Sequence, residues 1–345
     1  MKLPADKVNQ LRTFYEGREV CVTGGAGFIG GHLCDALISL GAEVRVIDDL
    51  SNSGTEYLSG LIELDPDRLR FVHGSILDDD ALSDAMRGAR TVFHLAAIGS
   101  VPRSLEDPQR TWSVNTTGTL RVLEAARGFG KGMQKRSSQV ERVIAASSSS
   151  VYGNQPELPK SETQPPRPLS PYAASKLAGE HLISVYASCY GLSAASLRFF
   201  NIFGPRQSAE SAYAAVIPSF TKRLMEGERP VIYGDGEQSR DFTFVGNAVL
   251  AALLAGATPT KLTGQSMNIG AGSRITISQL AALIADMCGA GQLQPRFEPA
   301  RTGDVKHSVA DIGLARQLIG YEPVTTLENG LTETVEWSRR TMAGR

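Results

Sequence analysis

The sequence has almost no excess of charge, because its 345 residues include 35 basic and 36 acidic side chains. Nucleic acids and anionic membranes bind proteins through clusters of positive charge. The balance therefore predicts neither a nucleic-acid partner nor a membrane partner, and a small molecule is the expected ligand. Cysteine is also scarce. Cys21, Cys34, Cys189 and Cys288 are far apart in the chain, so their spacing predicts neither a zinc site nor a redox dithiol.

Long hydrophobic runs are missing as well. The longest one, at residues 248–257, is too short to cross a bilayer, and residues 1–20 lack the apolar segment of a secretory signal. We therefore expect a cytoplasmic protein. The five histidines do not cluster at metal-ligand spacing, which predicts no metal site.

The first half of the chain alternates short apolar, β-branched runs with helical patterns. The runs predict strands at 19–23, 43–48, 70–73, 91–95, 142–147 and 192–199, with helices such as 27–40 and 111–127 between them. Continuous apolar character is typical of strands that are buried on both faces. The pattern predicts an α/β fold, a Rossmann-type doubly wound parallel sheet.

After Asn201 the pattern changes to loops rich in glycine and proline, with isolated helices near 214–226, 278–288 and 312–319. This change predicts a smaller mixed α/β domain that binds the substrate. Short apolar runs at 242–245 and 267–269 indicate that the chain returns to the first domain. We expect residues 1–200, with a return near 242–270, to bind a dinucleotide, and residues 201–241 and 271–345 to bind the substrate.

A glycine-rich turn, TGGAGFIG at 23–30, lies between the first strand and the first helix of the alternating region. Gly24 permits a tight turn, Gly27 lets backbone amides approach a pyrophosphate, and Gly30 allows the helix to pack closely. Turns and packing also select glycine, so the pattern alone is weak. Asp48 ends the second strand where an acid accepts hydrogen bonds from the adenosine ribose, although an ordinary strand-end residue is the alternative. A carboxylate there repels a 2′-phosphate, so we expect NAD rather than NADP.

A candidate acid–base pair begins a later helix. Ser170 suits the N-cap and Pro171 the first helical position, so Tyr172 and Lys176 are four residues apart on one face. The phenol pKa, about 10 in a free side chain, has to fall by about three units, or about 4 kcal/mol, for proton abstraction near neutral pH. A nearby ammonium and a cationic nicotinamide supply such stabilisation. An isolated pair would be read as surface residues, but this pair follows a dinucleotide turn.

Four serines, Ser147 to Ser150, follow an apolar strand at the carboxyl edge of the predicted sheet, where open α/β folds bind ligands. We expect Ser148 to hydrogen-bond the reacting hydroxyl. The alternative, a polar passage from strand to loop, applies best to Ser149 and Ser150. The catalytic candidates are therefore Ser148, Tyr172 and Lys176.

Together, TGGAGFIG, SSSSVYG, YAASK and LRFFNIFGPRQ resemble the extended short-chain dehydrogenase/reductase family, and in particular its UDP-sugar 4-epimerases. The likeness runs from Arg18 to the C-terminus. The strings AAIGSVPRS at 96–104 and AYAAVIP at 212–218 are similar to the bacterial UDP-N-acetylglucosamine 4-epimerases. The resemblance implies that Tyr172 takes the proton of the sugar 4-hydroxyl while hydride passes to NAD. The 4-keto sugar then turns over in the site and receives the hydride on its other face.

The resemblance also assigns binding residues. The cofactor set consists of Gly24, Gly27, Phe28, Ile29, Gly30, Asp48, Asn52, Ser53, Ser75, Ile76, Leu95, Ala96, Ala97, Asn115, Tyr172, Lys176 and Phe200. The substrate set consists of Gly99, Ser100, Ser148, Ser149, Asn201, Ala215, Val216, Tyr233, Arg240, Arg301, Asp304 and Ser308. The two arginines suit a diphosphate, Tyr233 can stack on uracil and Asp304 can accept from a ribose hydroxyl, although ordinary surface charge is the alternative. Ser75 departs from the family, whose members commonly carry an aspartate there, so its adenine contact is in doubt.

Ser308 lies at a position where epimerases restricted to non-acetylated sugars carry a bulky tyrosine, so the resemblance implies room for a 2-acetamido group. A serine that merely ends a strand is the alternative. Related dehydratases and decarboxylases add an acid beside the active-site hydroxyl, and Ser148 has no such neighbour. A UDP-glucuronate or UDP-N-acetylglucosaminuronate 4-epimerase and a catalytically silent NAD-binding module remain alternatives. Relatives imply a homodimer through helices such as 111–127 and 172–189.

Overall fold

The computed structural model describes residues 5–129, 138–209, 215–300 and 305–343. The strands are β1 Glu19–Thr23, β2 Glu43–Asp48, β3 Leu69–His73, β4 Thr91–His94, β5 Arg142–Ser148, β6 Ser193–Phe199, β7 Ile202–Phe203, β8 Val231–Tyr233, β9 Ser239–Arg240, β10 Thr243–Phe244, β11 Thr263–Ile269, β12 Ile275–Thr276 and β13 Arg296–Glu298. The helices are α1 Ala5–Tyr15, α2 Phe28–Ser39, α3 Glu56–Leu64, α4 Asp79–Ala85, α5 Val101–Glu106, α6 Pro108–Trp112, α7 Gly118–Ala126, α8 Pro171–Tyr190, α9 Val216–Met225, α10 Val245–Ala257, α11 Ile277–Cys288, α12 Gly313–Ile319 and α13 Leu327–Ala343.

Seven parallel strands form the main sheet in the order β11-β6-β5-β4-β1-β2-β3. The order reverses between β1 and β4, which is the switch point of a doubly wound fold, where ligands bind at the carboxyl ends of the strands. The fold-class prediction is confirmed. The seventh strand, β11, lies within the range 242–270 where the sequence predicted a return of the chain.

Both faces of this sheet are covered. Along β1, Val20 and Val22 belong to one hydrophobic core, whereas Cys21 belongs to the other. The first core contains side chains of α2 and α10, and the second contains side chains of α4, α7 and α8. Alternation along a strand sends successive side chains to opposite faces, so an apolar strand is buried on both sides. None of the described helices is both long and apolar enough to cross a membrane.

Short strand pairs beyond the main sheet carry the predicted substrate residues. β13 pairs with β8 beside Tyr233, β12 pairs with β9 beside Arg240, and β10 pairs with β7 directly after Asn201. The backbone of Asn201 has a positive φ of 35°, which turns the chain away from the main sheet at the end of β6. These pairs place the region after Asn201 over the carboxyl edge of the sheet.

The predicted helix at 111–127 is interrupted. A π-helical turn at Ser113–Thr117 separates α6 from α7. The extra residue in such a turn shifts the helical face, and here it brings Asn115 into the interior, where it is 3% exposed. The chain nevertheless stays helical from Pro108 to Ala126, so the predicted helix forms, and only the π-helical turn within it was not predicted.

Candidate active site

A cleft of about 600 Å³ opens at the carboxyl edge of the main sheet. Leu95 after β4, Ser148 at the end of β5 and Phe199 at the end of β6 line it, together with Tyr172 and Lys176 of α8. A second cavity adjoins it through Leu95 and Ala97, and a third adjoins it through Asn201 and Arg240. The three cavities form one elongated site with the catalytic candidates in its middle.

The glycine turn forms one wall of the second cavity. Gly24 has a positive φ of 72°, and a Cβ atom there would lie 2.6 Å from the backbone nitrogen of Ala96. A Cβ atom on Gly30 would lie 2.1 Å from the carbonyl oxygen of Gly24. The N-cap of α2 is Gly27, which has no side chain that could accept hydrogen bonds from the first amides of the helix. The first amides of α2 are therefore left for a ligand, and the turn fits the pyrophosphate of a dinucleotide.

Asp48 connects the end of β2 to this turn. Its carboxylate accepts hydrogen bonds from the backbone amides of Ala26 at 3.0 Å and Leu50 at 2.9 Å. Burial raises the pKa of Asp48, and these hydrogen bonds oppose the rise. The residue lines the second cavity beside other predicted cofactor contacts, which are Asn52, Ser53, Ser75, Ile76 and Ala96. This cavity is the one that suits an adenosine.

Helix α8 starts as the sequence pattern indicates. Ser170 caps it by accepting a hydrogen bond from the amide of Ala173 at 3.1 Å. Tyr172 in the first turn lines the cleft together with Ser148. Burial raises the pKa of the Tyr172 phenol, and hydrogen bonding with Ser148 lowers it. The structure therefore places the predicted hydroxyl and the predicted base in the same cleft.

Lys176 lies one turn further along the same face of α8. Its ammonium donates a hydrogen bond to the carbonyl oxygen of Ala146 in β5 at 2.9 Å. Burial lowers the pKa of Lys176 to about 8, while the charge of Glu180 raises it. A lysine with this pKa is still largely protonated at neutral pH, so it presents a positive charge to the middle of the cleft.

Two predicted cofactor contacts lie behind the cleft. Asn115 is buried, accepts from the amide of Ile98 at 2.8 Å and donates to the Ser175 hydroxyl at 3.0 Å. It thus ties α8 to the loop after β4. Phe200 is fully buried in the core, and its neighbour Phe199 lines the cleft instead.

The predicted substrate residues divide into three groups. Those that line the cleft or the third cavity are Gly99, Ser148, Ser149, Asn201, Val216, Tyr233, Arg240 and Ser308. Ser100 and Ala215 are instead the N-caps of α5 and α9, and neither is among the lining residues. Arg301 and Asp304, like residues 212–214 of the string 212–218, lie outside the described residues.

Several buried polar atoms along the site have no hydrogen-bond partner in the described part of the chain. They are the hydroxyl oxygens of Ser150 and Ser308 and the side-chain carbonyl oxygens of Gln207 and Gln238. Buried polar groups are normally satisfied, so unpaired groups on a cleft wall indicate a polar ligand. The two glutamines were not predicted, although Gln207 ends the quoted string LRFFNIFGPRQ. The described residues contain no group of three or more His, Cys, Asp or Glu arranged to hold a metal.

The chain matches the model of the family described as "NAD dependent epimerase/dehydratase family" over residues 20–270. It is 38% identical to UDP-glucose 4-epimerase of Mycolicibacterium smegmatis, covering 92% of this chain and 97% of that protein. The structure of UDP-N-acetylglucosamine 4-epimerase from Methanobrevibacter ruminantium M1, in complex with UDP-N-acetylmuramic acid, is 37% identical with a TM-score of 0.86, covering 95% of this chain and all 100% of that one. UDP-glucose 4-epimerase from Thermotoga maritima, with UDP-glucose, is 36% identical with a TM-score of 0.85, covering 94% of this chain and 99% of that one.

These matches confirm the resemblance and the cofactor prediction. They extend over most of the chain, including the glycine turn, Ser148, Tyr172 and Lys176. The protein is an NAD-dependent member of the extended short-chain dehydrogenases, and it belongs to the NAD dependent epimerase/dehydratase family.

Proposed function

We propose that the protein is a 4-epimerase that interconverts UDP-N-acetylglucosamine and UDP-N-acetylgalactosamine, and also UDP-glucose and UDP-galactose. One observation carries the proposal: Ser148, Tyr172 and Lys176 line one cleft, and this cleft lies between a cavity that suits adenosine and a cavity that contains Tyr233 and Arg240. A dinucleotide and a nucleotide sugar entering from opposite ends would meet at these side chains.

Tyr172 acts in this proposal as the base and acid at the sugar 4-hydroxyl. The Ser148 hydroxyl holds the phenol and the sugar oxygen in line, and the buried ammonium of Lys176 favours the ionised phenol. Bound NAD would accept a hydride from carbon 4 of the sugar and later return it to the same carbon. The 4-keto sugar presents its other face to Tyr172 after turning, and the cleft volume of about 600 Å³ gives it space to do so.

The far end of the site suits the nucleotide. Arg240 is shared by the cleft and the third cavity, where its guanidinium can bind a diphosphate. Tyr233 lines the third cavity and is 37% exposed, so its ring is accessible for stacking on uracil. We keep Arg301 and Asp304 as proposed nucleotide contacts on the resemblance alone.

Ser308 supports the acetylated substrate. Its side chain lines the cleft and is 7% exposed, and its hydroxyl has no partner among the described residues. A small side chain here leaves space for a 2-acetamido group, and the hydroxyl is available to that group. A tyrosine would fill the space.

We expect Ser308→Tyr to reduce kcat/KM for UDP-N-acetylglucosamine by about a hundredfold and that for UDP-glucose by only a fewfold. A steric contact of one substituent is worth about 1–3 kcal/mol in such discrimination. Steady-state rates on both sugars measure this ratio. Ser308→Ala is the matched control, because it removes the hydroxyl without filling the pocket. Equal losses on the two sugars in Ser308→Tyr would contradict the pocket-size argument.

The reaction itself is tested with purified protein and no added NAD. UDP-N-acetylglucosamine, UDP-glucose and the two corresponding uronic acids are incubated separately, and the 4-epimers are resolved by chromatography. Because epimerisation involves no net redox change, resident NAD is expected to support many turnovers. Conversion of uronic acids alone would favour the uronate epimerase, and conversion of none of the four would refute the proposal.

We also propose a homodimer that forms through α6, α7 and α8. Trp112, Leu120 and Val185 on these helices are 48%, 38% and 50% exposed, and exposed apolar side chains of this size are typical of protein interfaces. Sedimentation velocity is expected to give twice the mass of one chain, whereas a mass equal to one chain would contradict the dimer.

A further inference from the structure

Helix α8 faces β5 with three side chains that are four residues apart: Tyr172, Lys176 and Glu180. Two of them line the cleft: Tyr172 lies there with Ser148 of β5, and Lys176 donates to the carbonyl oxygen of Ala146 of β5. A helix repeats every 3.6 residues, so this spacing keeps all three on one stripe. Glu180 is the third member of the stripe and does not line the cleft.

Glu180 binds the residue of β5 that lies between the other two contacts. The Ser147 hydroxyl donates to its carboxylate. Arg198 of β6 donates to both carboxylate oxygens, from Nε at 2.9 Å and from Nη2 at 2.7 Å. Glu180 and Arg198 are each 5% exposed. A bidentate, buried pair of this kind fixes the position of both side chains.

Further hydrogen bonds fix Arg198, the partner of Glu180. A further nitrogen of Arg198 donates to the hydroxyl of Tyr152 at 2.8 Å, and that hydroxyl donates to Asn268 of β11 at 2.7 Å. The carboxylate of Glu180 therefore cannot move without breaking contacts to β5 and β6, and Arg198 of β6 is linked through Tyr152 to β11. Consecutive residues 146 and 147 of β5 are thus bonded to Lys176 and Glu180 of the α8 stripe, and Ser148 lines the cleft with Tyr172.

The charged and titratable groups that face Lys176 come from three elements. Tyr172 and Glu180 lie on its own helix, and Arg198 of β6 is bound to Glu180. From β4, His94 lies between the hydroxyls of Thr23 and Thr119, and burial lowers its pKa to about 3, with the charge of Lys176 a smaller cause. His94 is therefore neutral near neutral pH, and Glu180 is the negative charge that acts on the lysine.

We propose that Glu180, fixed by Ser147 and Arg198, is a positioning residue that holds Lys176 charged and in register with β5. The inference deepens the proposed function, because it concerns the residue that acts on Tyr172. Glu180 does not line the cleft, so it acts through Lys176. Removing its charge while keeping the side-chain shape is expected to make Lys176 lose its proton at lower pH.

The direction in which the pKa of Lys176 changes follows from two opposing influences, burial and the charge of Glu180. Burial lowers its pKa to about 8 and Glu180 raises it, so loss of the carboxylate leaves burial unopposed. In Glu180→Gln, the alkaline loss of kcat is expected to move down by about one pH unit, which is a tenfold lower rate on the alkaline side. Rates below neutral pH should change little. A purely structural role would lower the rate equally at all pH values.

The experiment compares the NAD-loaded wild-type protein with Glu180→Gln, and with Glu180→Gln/Arg198→Met. The double variant is needed because an unpaired buried arginine can prevent folding, whereas replacing both charges with neutral side chains is usually tolerated. Glu162→Gln is the control, since it removes a carboxylate that accepts from the amide of Asn268 and does not act on Lys176. Two quantities are measured: the pH profile of kcat, and the titration of Lys176 by NMR of lysine-labelled protein, assigned with Lys176→Met.

A lower titration midpoint of Lys176 in either Glu180 variant, with no shift in Glu162→Gln, supports the proposal. An unchanged Lys176 titration in a folded variant overturns it, and failure of both variants to fold assigns the pair to stability alone and also overturns it. The NMR titration needs no substrate. A wild-type protein that epimerises no UDP-sugar would therefore refute the proposed function while the role of Glu180 is still decided.

Discussion

Tyr172→Phe is expected to lower kcat for 4-epimerisation by about a thousandfold while the protein stays folded and retains NAD. The substitution removes one hydroxyl, that of the tyrosine that lines the cleft together with Ser148 and Lys176. A positioned acid–base group contributes about 10²–10⁴ in rate, and neither Ser148 nor the ammonium of Lys176 can replace it as a base near neutral pH. KM should change little, because the proposed nucleotide contacts, Tyr233 and Arg240, lie at the other end of the site.

Tyr190→Phe provides the matched control for this loss. Tyr190 ends the same helix, is 52% exposed and packs its ring against Arg127, far from the cleft. The control should keep wild-type turnover of UDP-N-acetylglucosamine and the same resident NAD, measured by absorbance after denaturation. A Tyr172→Phe protein that keeps more than a tenth of the wild-type kcat would show that another group carries the proton.

The strands were predicted well because their apolar, β-branched composition indicates that they are buried. β1 and β2 have the predicted bounds, since an apolar run flanked by polar residues has one stable position in a sheet covered on both faces. The π turn at Ser113–Thr117 could not be predicted in this way. It is stabilised by bonds from Asn115 to Ile98 and Ser175, which are distant in sequence, and local helical preference does not include them.

In the site, too, residues placed by local sequence could be predicted, whereas residues placed by contacts distant in sequence could not. Tyr172 and Lys176 were predicted from spacing along one helix, and the structure places them in one cleft with Ser148. Glu180 was not singled out, because a glutamate on a helix is usually solvent-exposed. Its burial depends on Arg198, which belongs to a strand that the sequence places after the helix.

Gly30→Ala is expected to weaken NAD binding by about a hundredfold or more and to leave the purified protein without cofactor. The new Cβ atom would lie 2.1 Å from the carbonyl oxygen of Gly24, a backbone atom that can move only if the turn moves. Displacing the turn would withdraw the first amides of α2 from the proposed pyrophosphate site. Hydrogen bonds to a charged group are worth about 1.5–3 kcal/mol each, so the loss of two accounts for this change. Calorimetric titration of the stripped protein with NAD measures it.

Gly60→Ala separates this steric effect from the general cost of changing a helical glycine. Gly60 lies within α3, is exposed, and has nothing within 4 Å of the position where a Cβ atom would be. Alanine is preferred over glycine by about 1 kcal/mol in an exposed helix interior, so this variant should unfold at a slightly higher temperature and bind NAD as the wild type does. If Gly30→Ala bound NAD with wild-type affinity, the turn would be able to widen around a methyl group. The tight approach of Gly24 to Gly30 would then not be required for the cofactor.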